Sequence, residues 1–152
     1  MIIKTYLETS MFNYYFDTDR EHHPDTVAFF EACLAGRFEA YTSEYVMREL
    51  LAAPDGKREK MLSLVDRYKI NVLAASSEID NLAQRYLDEG ALPGKSLADA
   101  NHIASAAVYG LDIVVSLNFR HIVRPKTEQM TREINTILGY KPVSISSPMG
   151  VI

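Results

Sequence analysis

The chain has few of the residues that usually advertise a special chemistry. Its 152 residues include one cysteine, Cys33, and no tryptophan. A lone cysteine excludes an internal disulfide framework and suits a reducing compartment. Cys33 lies among Phe29, Phe30, Ala32 and Leu34, so it reads as a buried, inert thiol rather than a nucleophile. No apolar run approaches the roughly 20 residues of a membrane span, and the N-terminus lacks a signal-peptide core. A cytoplasmic protein with no membrane partner is therefore expected. There is no glycine-rich phosphate loop, no Gly-x-Ser-x-Gly elbow and no Cys/His cluster. Glu8-Thr9-Ser10 is not the Asp-x-Asp that an aspartyl-phosphate enzyme of the dehalogenase type carries after its first strand. Positive charge is also short: 16 Lys and Arg against 20 Asp and Glu leave a net charge of −4. That balance argues against broad, non-specific nucleic-acid binding while leaving room for a local basic patch.

What is present is an ordinary globular composition, 47% hydrophobic and 24% charged, with no repeat and no low-complexity tract. The length suits one domain spanning residues 1–152 with a substantial core. The apolar pattern predicts strands at 2–7, 38–42, 71–74 and 112–115, and an edge strand at 142–146. Helices are predicted between them. Pro24 opens one, Ser43 caps SEYVMRELLAA, residues 57–69 make an amphipathic helix, and Ser76 or Ser77 caps the next. Thr127 to Leu138 makes the last, closed by Gly139. Strands alternating with helices imply an α/β fold with a mostly parallel sheet of four or five strands, wrapped on both faces.

One stretch organises the rest: SLADANHIASAAVYGLDIVVSLNFRHI, Ser96 to Ile122. Ala100, Ile103, Ala104, Ala107 and Val108 fall on one helical face, and Gly110 is placed to end that helix. Ile113-Val114-Val115 is short and β-branched, so it reads as a buried strand. Asp99 stands at the helix start and Asn118 just past the strand. Ser96-x-x-Asp99 has the spacing of a capping box, so Asp99 has a purely structural reading as well as a chemical one.

In open parallel sheets, ligands bind beyond the carboxyl ends of the strands, where the strand order reverses. Glu8 and Asn118 are predicted just past strands one and four, Asp99 opens the helix before strand four, and Glu49 lies in the helix after strand two. Carboxylates gathered in one cleft repel one another unless a cation sits among them. An oxygen-only donor set favours Mg2+ or Mn2+ over zinc. Glu49, beside Arg48, also has the bland reading of a solvated helix acid, and His102 that of a satisfied structural histidine. The aromatic run Phe12 to Phe16 reads as core rather than as a stacking platform.

These residues resemble the pattern of PIN-domain ribonucleases, in particular the VapC-like toxin half of VapBC toxin–antitoxin pairs. YLETSMF, SEYVMRELL, LPGKSLADANHIASAAVYGLDIVVSLNFRHI and GYKPVSISSP carry the resemblance over nearly the whole chain. It implies a three-layer α/β/α fold and a metal-dependent endoribonuclease using Mg2+ or Mn2+. The family's acids map onto Glu8, Glu49 and Asp99 as metal ligands, with Asn118 at a fourth, weaker position. Thr9 or Ser10 matches the supporting hydroxyl beside the first acid. Lys95, Arg120, Arg124 and Lys126 are the candidate RNA phosphate contacts. The family ordinarily carries Asp where this chain has Glu8, which opens the alternative of a weakened RNA- or protein-binding module. An RNA-processing nuclease without an antitoxin is the third reading. The expected partners are RNA, a small antitoxin and a second copy in a homodimer, with the helix Met11 to Phe16, if uncovered, offering the antitoxin a groove.

Overall fold

The computed structural model describes residues 1–152 and consists of five strands and eight helices. The strands are β1 (Ile3–Leu7), β2 (Phe38–Ser43), β3 (Asn71–Leu73), β4 (Ile113–Val115) and β5 (Ser144–Ser146). The helices are α1 (Thr9–Tyr14), α2 (His23–Leu34), α3 (Glu44–Leu51), α4 (Asp55–Arg67), α5 (Ser77–Asp88), α6 (Leu97–Val108), α7 (Pro125–Leu138) and α8 (Pro148–Val151). All five strands pair in parallel in the order β3-β2-β1-β4-β5. The order reverses between β1 and β4, where Leu7 lies opposite Val115. Every carboxyl end therefore reaches the same edge, and Glu8 and Ser116 leave their strands side by side at the switch point. Helices cover both faces of the sheet in the three-layer α/β/α manner of a PIN-like fold, and α6 packs against β1 and β4.

Local chemistry sets the ends of the elements. Ser43, Ser76 and Ser96 accept from the amides of Val46, Ile79 and Asp99, satisfying donors that α3, α5 and α6 would otherwise leave open. Pro125 opens α7 two residues earlier than the apolar pattern suggests, because proline at the first helical position loses no intrahelical bond. Gly139 closes α7 at φ 85°, a left-handed conformation that only a residue without Cβ takes cheaply.

The core is one cluster of 36 buried apolar residues, with Phe12, Phe29, Phe30, Tyr6 and Tyr86 as its largest members. Helix α1 belongs to that cluster. Met11 and Phe12 are wholly buried, the Phe12 ring meets Phe30 edge-on at 5.8 Å, and Tyr15 packs on both Phe30 and Tyr68. The open partner groove expected at Met11 to Phe16 is therefore absent, because burying these rings in the core is worth more than leaving them to solvent. The N-cap of α1 is Glu8, whose side chain accepts from the Ser10 amide.

Candidate active site

The rim at the switch point is built from side chains far apart in sequence. Glu8 is 4% exposed although it is an acid. Its Oε1 takes three hydrogen bonds: from the Ser10 amide at 3.2 Å, from the Ser10 hydroxyl, and from the Ser116 hydroxyl at 2.6 Å. Oε2 takes none of them. Such bonds to an anionic oxygen are the strong kind and fix the carboxylate plane. Ser116 also accepts from the Asn118 amide at 2.9 Å, and Ser10 accepts from the Leu117 amide at 2.8 Å. The turn after β4 is thereby tied to the turn after β1.

Asn118 organises that turn. Its Oδ1 accepts from the His121 amide at 3.1 Å, and its carbonyl accepts from the amides of Ile122 and Val123. Its Nδ2 donates to Asp99 Oδ1 at 3.4 Å. The second Asp99 oxygen meets His121 Nδ1 at 3.0 Å. The Asp99 amide donates to the Ser96 hydroxyl, as the capping-box spacing predicts. The carboxylate, however, is turned to Asn118 and His121, so the residue serves as a cap through its backbone and faces the site with its side chain.

Glu49 reaches the same rim from α3. Its Oε1 lies 2.8 Å from His102 Nε2, while His102 Nδ1 lies 2.8 Å from the Tyr6 hydroxyl. Tyr6 in turn meets Ser43 at 2.6 Å, so a buried chain runs Ser43–Tyr6–His102–Glu49 across the sheet. Burial alone pushes the His102 imidazole down, but the Glu49 hydrogen bond and the charges of Glu8, Glu49 and Asp99 outweigh it and leave the ring more basic than usual. Burial likewise pushes the Glu49 carboxyl up. The His102 hydrogen bond and charge, helped by the nearby Thr9 hydroxyl, outweigh that and hold it below the usual carboxylate value. Thr9 Oγ1 itself is buried without a well-formed hydrogen bond. His102 is thus a satisfied core histidine that also holds Glu49.

The expected metal ligands are arranged in a particular way. No three His, Cys, Asp or Glu side chains are drawn tightly enough to form a ready cage for an ion. His102 and His121 instead stand against Glu49 and Asp99, each occupying a carboxylate oxygen. The chemistry of the donor set still fits a hard divalent cation. It offers carboxylate oxygens only, Glu8 keeps one oxygen clear of protein partners, and the Glu49 side chain is 37% exposed. None of the surface cavities is lined by Glu8, Glu49 or Asp99. Lys95, Arg120 and Lys126 are exposed, Arg124 is half-buried, and none of the four pairs with an acid. No helix is long and apolar enough to cross a membrane.

Ser116, Tyr6 and His121 escaped the reading of the sequence. Ser116 had a usable signal, a hydroxyl directly after a buried strand. Tyr6 and His121 had none, because only the sheet register brings them to the acids.

A parallel α/β/α domain with hydrogen-bonded acids at its switch point defines a class, and comparison supplies the family. The PIN domain model matches residues 5–125, and the chain belongs to the PIN-domain family. Among solved structures it is similar to VapC20 of Mycobacterium tuberculosis, described as a sarcin-ricin loop cleaving toxin. The identity is 16% and the TM-score 0.54, over 72% of this chain and 86% of that one. It is also similar to a chain of VapBC2 from Rickettsia felis, solved bound to a DNA fragment from its promoter. There the identity is 11% and the TM-score 0.56, over 95% of this chain and 98% of that one. No curated protein matches.

Proposed function

We propose that the chain is a metal-dependent endoribonuclease of the VapC type, the toxin of a toxin–antitoxin pair. The observation that carries this reading is the placement of the acids at the strand-order switch of a PIN fold, where Glu8 and Asp99 are tied to Ser116 and Asn118 of the turn after β4 and Glu49 is held on His102 from α3. The similarity in fold to VapC20 and VapBC2 supports the toxin assignment and the expectation of an antitoxin partner. A cytoplasmic homodimer is the matching setting.

In this reading Glu8, Glu49 and Asp99 hold Mg2+ or Mn2+, which supplies Lewis-acid polarisation of the phosphate and activation of water. The chain's own residues do the rest. Ser10 and Ser116 lock Glu8 through one oxygen and leave the other for the site. His102 holds Glu49 at the rim, and its buried position lets Tyr6 and Ser43 fix the ring's orientation. Asn118 and His121 aim Asp99. Lys95, Arg120, Arg124 and Lys126, unpaired with acids, contact phosphates flanking the cut and offset the repulsion between an anionic chain and an acidic rim.

Glu8 favours a second reading. A glutamate stands where the family ordinarily carries the shorter aspartate, and Mg2+ demands close octahedral geometry, so a weakened, RNA-binding PIN domain is the alternative. The deciding experiment is cleavage of RNA by the native protein with Mg2+ or Mn2+ against an EDTA control, run beside Asp99→Asn. The asparagine keeps the backbone cap and the fold while removing an anionic ligand. Metal-dependent cleavage lost in Asp99→Asn supports the nuclease. Cleavage unaffected by EDTA or by the substitution refutes the assigned site, and RNA binding without cleavage under any metal favours the binding module.

A further inference from the structure

Two histidines stand against the acids of the rim, and they are not alike. His102 is 1% exposed and both of its nitrogens are engaged, Nε2 with Glu49 and Nδ1 with the Tyr6 hydroxyl. It has no nitrogen left to offer a ligand. The His121 side chain is 37% exposed, and the one hydrogen bond its ring makes within the protein joins Nδ1 to Asp99 Oδ2 at 3.0 Å. Its place is fixed from two sides. The His121 amide donates to Asn118 Oδ1 at 3.1 Å. The far edge of the ring lies against the backbone of Gly94, where an added Cβ would come to 3.4 Å from both Cε1 and Nε2. Asn118 also donates to the other Asp99 oxygen at 3.4 Å, so one turn carries the imidazole and braces the carboxylate that it faces.

The spacing of the two donor atoms suits a shared ion. Ligands on neighbouring corners of an octahedron with bonds of about 2.1 Å stand about 3.0 Å apart. That is the separation of His121 Nδ1 and Asp99 Oδ2, 3.0 Å. A neutral imidazole with its proton on Nε2 turns a lone pair toward the carboxylate, and the two repel unless a cation lies between them. We propose that His121 Nδ1 joins Asp99 as a ligand of the ion held at the rim, so that the site takes Mn2+ in preference to Mg2+. This rests on the reading of Glu8, Glu49 and Asp99 as a metal site and adds one nitrogen to their oxygens. Imidazole suits transition-metal ions, whereas Mg2+ keeps to oxygen donors and water.

The test reads the ion directly rather than turnover. The native chain, freed of metal with EDTA and dialysed, is titrated calorimetrically with Mn2+ and with Mg2+. Its Mn2+ form is examined by pulsed electron paramagnetic resonance for coupling to an imidazole nitrogen. His121→Asn and His121→Ala are measured beside it. Asparagine puts an amide near the Nδ1 position and keeps a donor for Asp99 while removing the imidazole; alanine removes both. The native spectrum is expected to show nitrogen coupling that both variants lack. The ratio of Mn2+ to Mg2+ affinity is expected to fall about 10-fold or more in each variant, since losing even an outer partner of a ligand costs about that much. Where a variant fails to fold, the native spectrum decides alone. Native Mn2+ protein without nitrogen coupling overturns the proposal and leaves the acids standing as the metal site. Coupling that persists in both variants overturns it as well. So does an unchanged affinity ratio, with Mn2+ and Mg2+ weakened alike in His121→Ala, which makes His121 a brace for Asp99 and no more. Failure of the native chain to bind either ion overturns the proposal together with the metal-dependent reading.

Discussion

Glu8 allows its two roles to be separated, because the structure splits them between its two oxygens. Oε1 takes every protein hydrogen bond and Oε2 takes none. In Glu8→Gln the amide oxygen can occupy the Oε1 position and keep all three bonds, now as neutral ones. Each falls from about 1.5–3 kcal/mol to about 0.5–1.5 kcal/mol. Against that loss stands the relief of no longer burying a charge that is 4% exposed. The two effects nearly cancel, and unfolding in urea should show a change within about 1 kcal/mol with an unchanged m-value. A change of that size moves the melting temperature by about 2–4 °C for a domain of this length. Metal affinity should respond quite differently. Removing even an outer partner of a metal ligand costs about 10–100-fold, so removing an anionic ligand should cost about 100-fold or more in Mn2+ affinity and in cleavage rate. Glu8→Asp is the complementary probe. It keeps the charge and suits an N-cap, but its shorter arm cannot hold both Ser10 and Ser116. It should lose about 1 kcal/mol of stability and retain metal-dependent cleavage. The assay is calorimetric Mn2+ titration and initial cleavage rate for the three proteins, with urea unfolding as the control. If Glu8→Gln binds Mn2+ and cleaves like the native protein, Glu8 is a helix cap and nothing more.

Other consequences follow from the same geometry. Ser116→Ala removes a donor to Glu8 and the acceptor of the Asn118 amide; it should cost about 1–3 kcal/mol and lower cleavage about 10–100-fold, measured by unfolding and by rate. His102→Leu strips Glu49 and Tyr6 of a shared partner. Tyr6 keeps Ser43 and Glu49 can rehydrate at the rim, so the cost should be about 2–3 kcal/mol rather than the larger loss of a fully buried pair, read from the urea midpoint. The Glu49–His102 pair also sets a pH window. The raised His102 value contributes stability fully present below its ordinary 6.5 and lost as pH rises through the higher folded value. The lowered Glu49 value contributes stability present above its ordinary 4.5 and lost as pH falls through the lower folded value. The pair should therefore be worth most between those two ordinary values, and His102→Leu should flatten the stability profile there. A native profile no different in shape from that of His102→Leu would show that the pair is not coupled to folding.

The order of strands and helices was legible from the chain alone, because it rests on local rules. Ile113-Val114-Val115 could only be a short buried strand, Ser43 and Ser96 cap the helices they precede, and Gly139 ends α7 in the left-handed conformation its position demands. In the sequence Glu8 and Asp99 stood out by their places after a strand and at the start of a helix, whereas Glu49, inside the helix after β2, was marked out only by the resemblance to PIN-domain ribonucleases. The sequence could not decide what holds them. The contacts that do so span 108 residues from Ser116 to Glu8, 53 from His102 to Glu49 and 22 from His121 to Asp99. Those distances in sequence close only when β1 and β4 pair with Leu7 opposite Val115, a register fixed by packing the whole sheet. The same global packing buried Phe12 and set Tyr15 half-buried against Phe30, as the aromatic run suggests, and left Phe119 in the open beside His22. Local propensity chose the elements; the cooperative burial of one core chose which side chains meet.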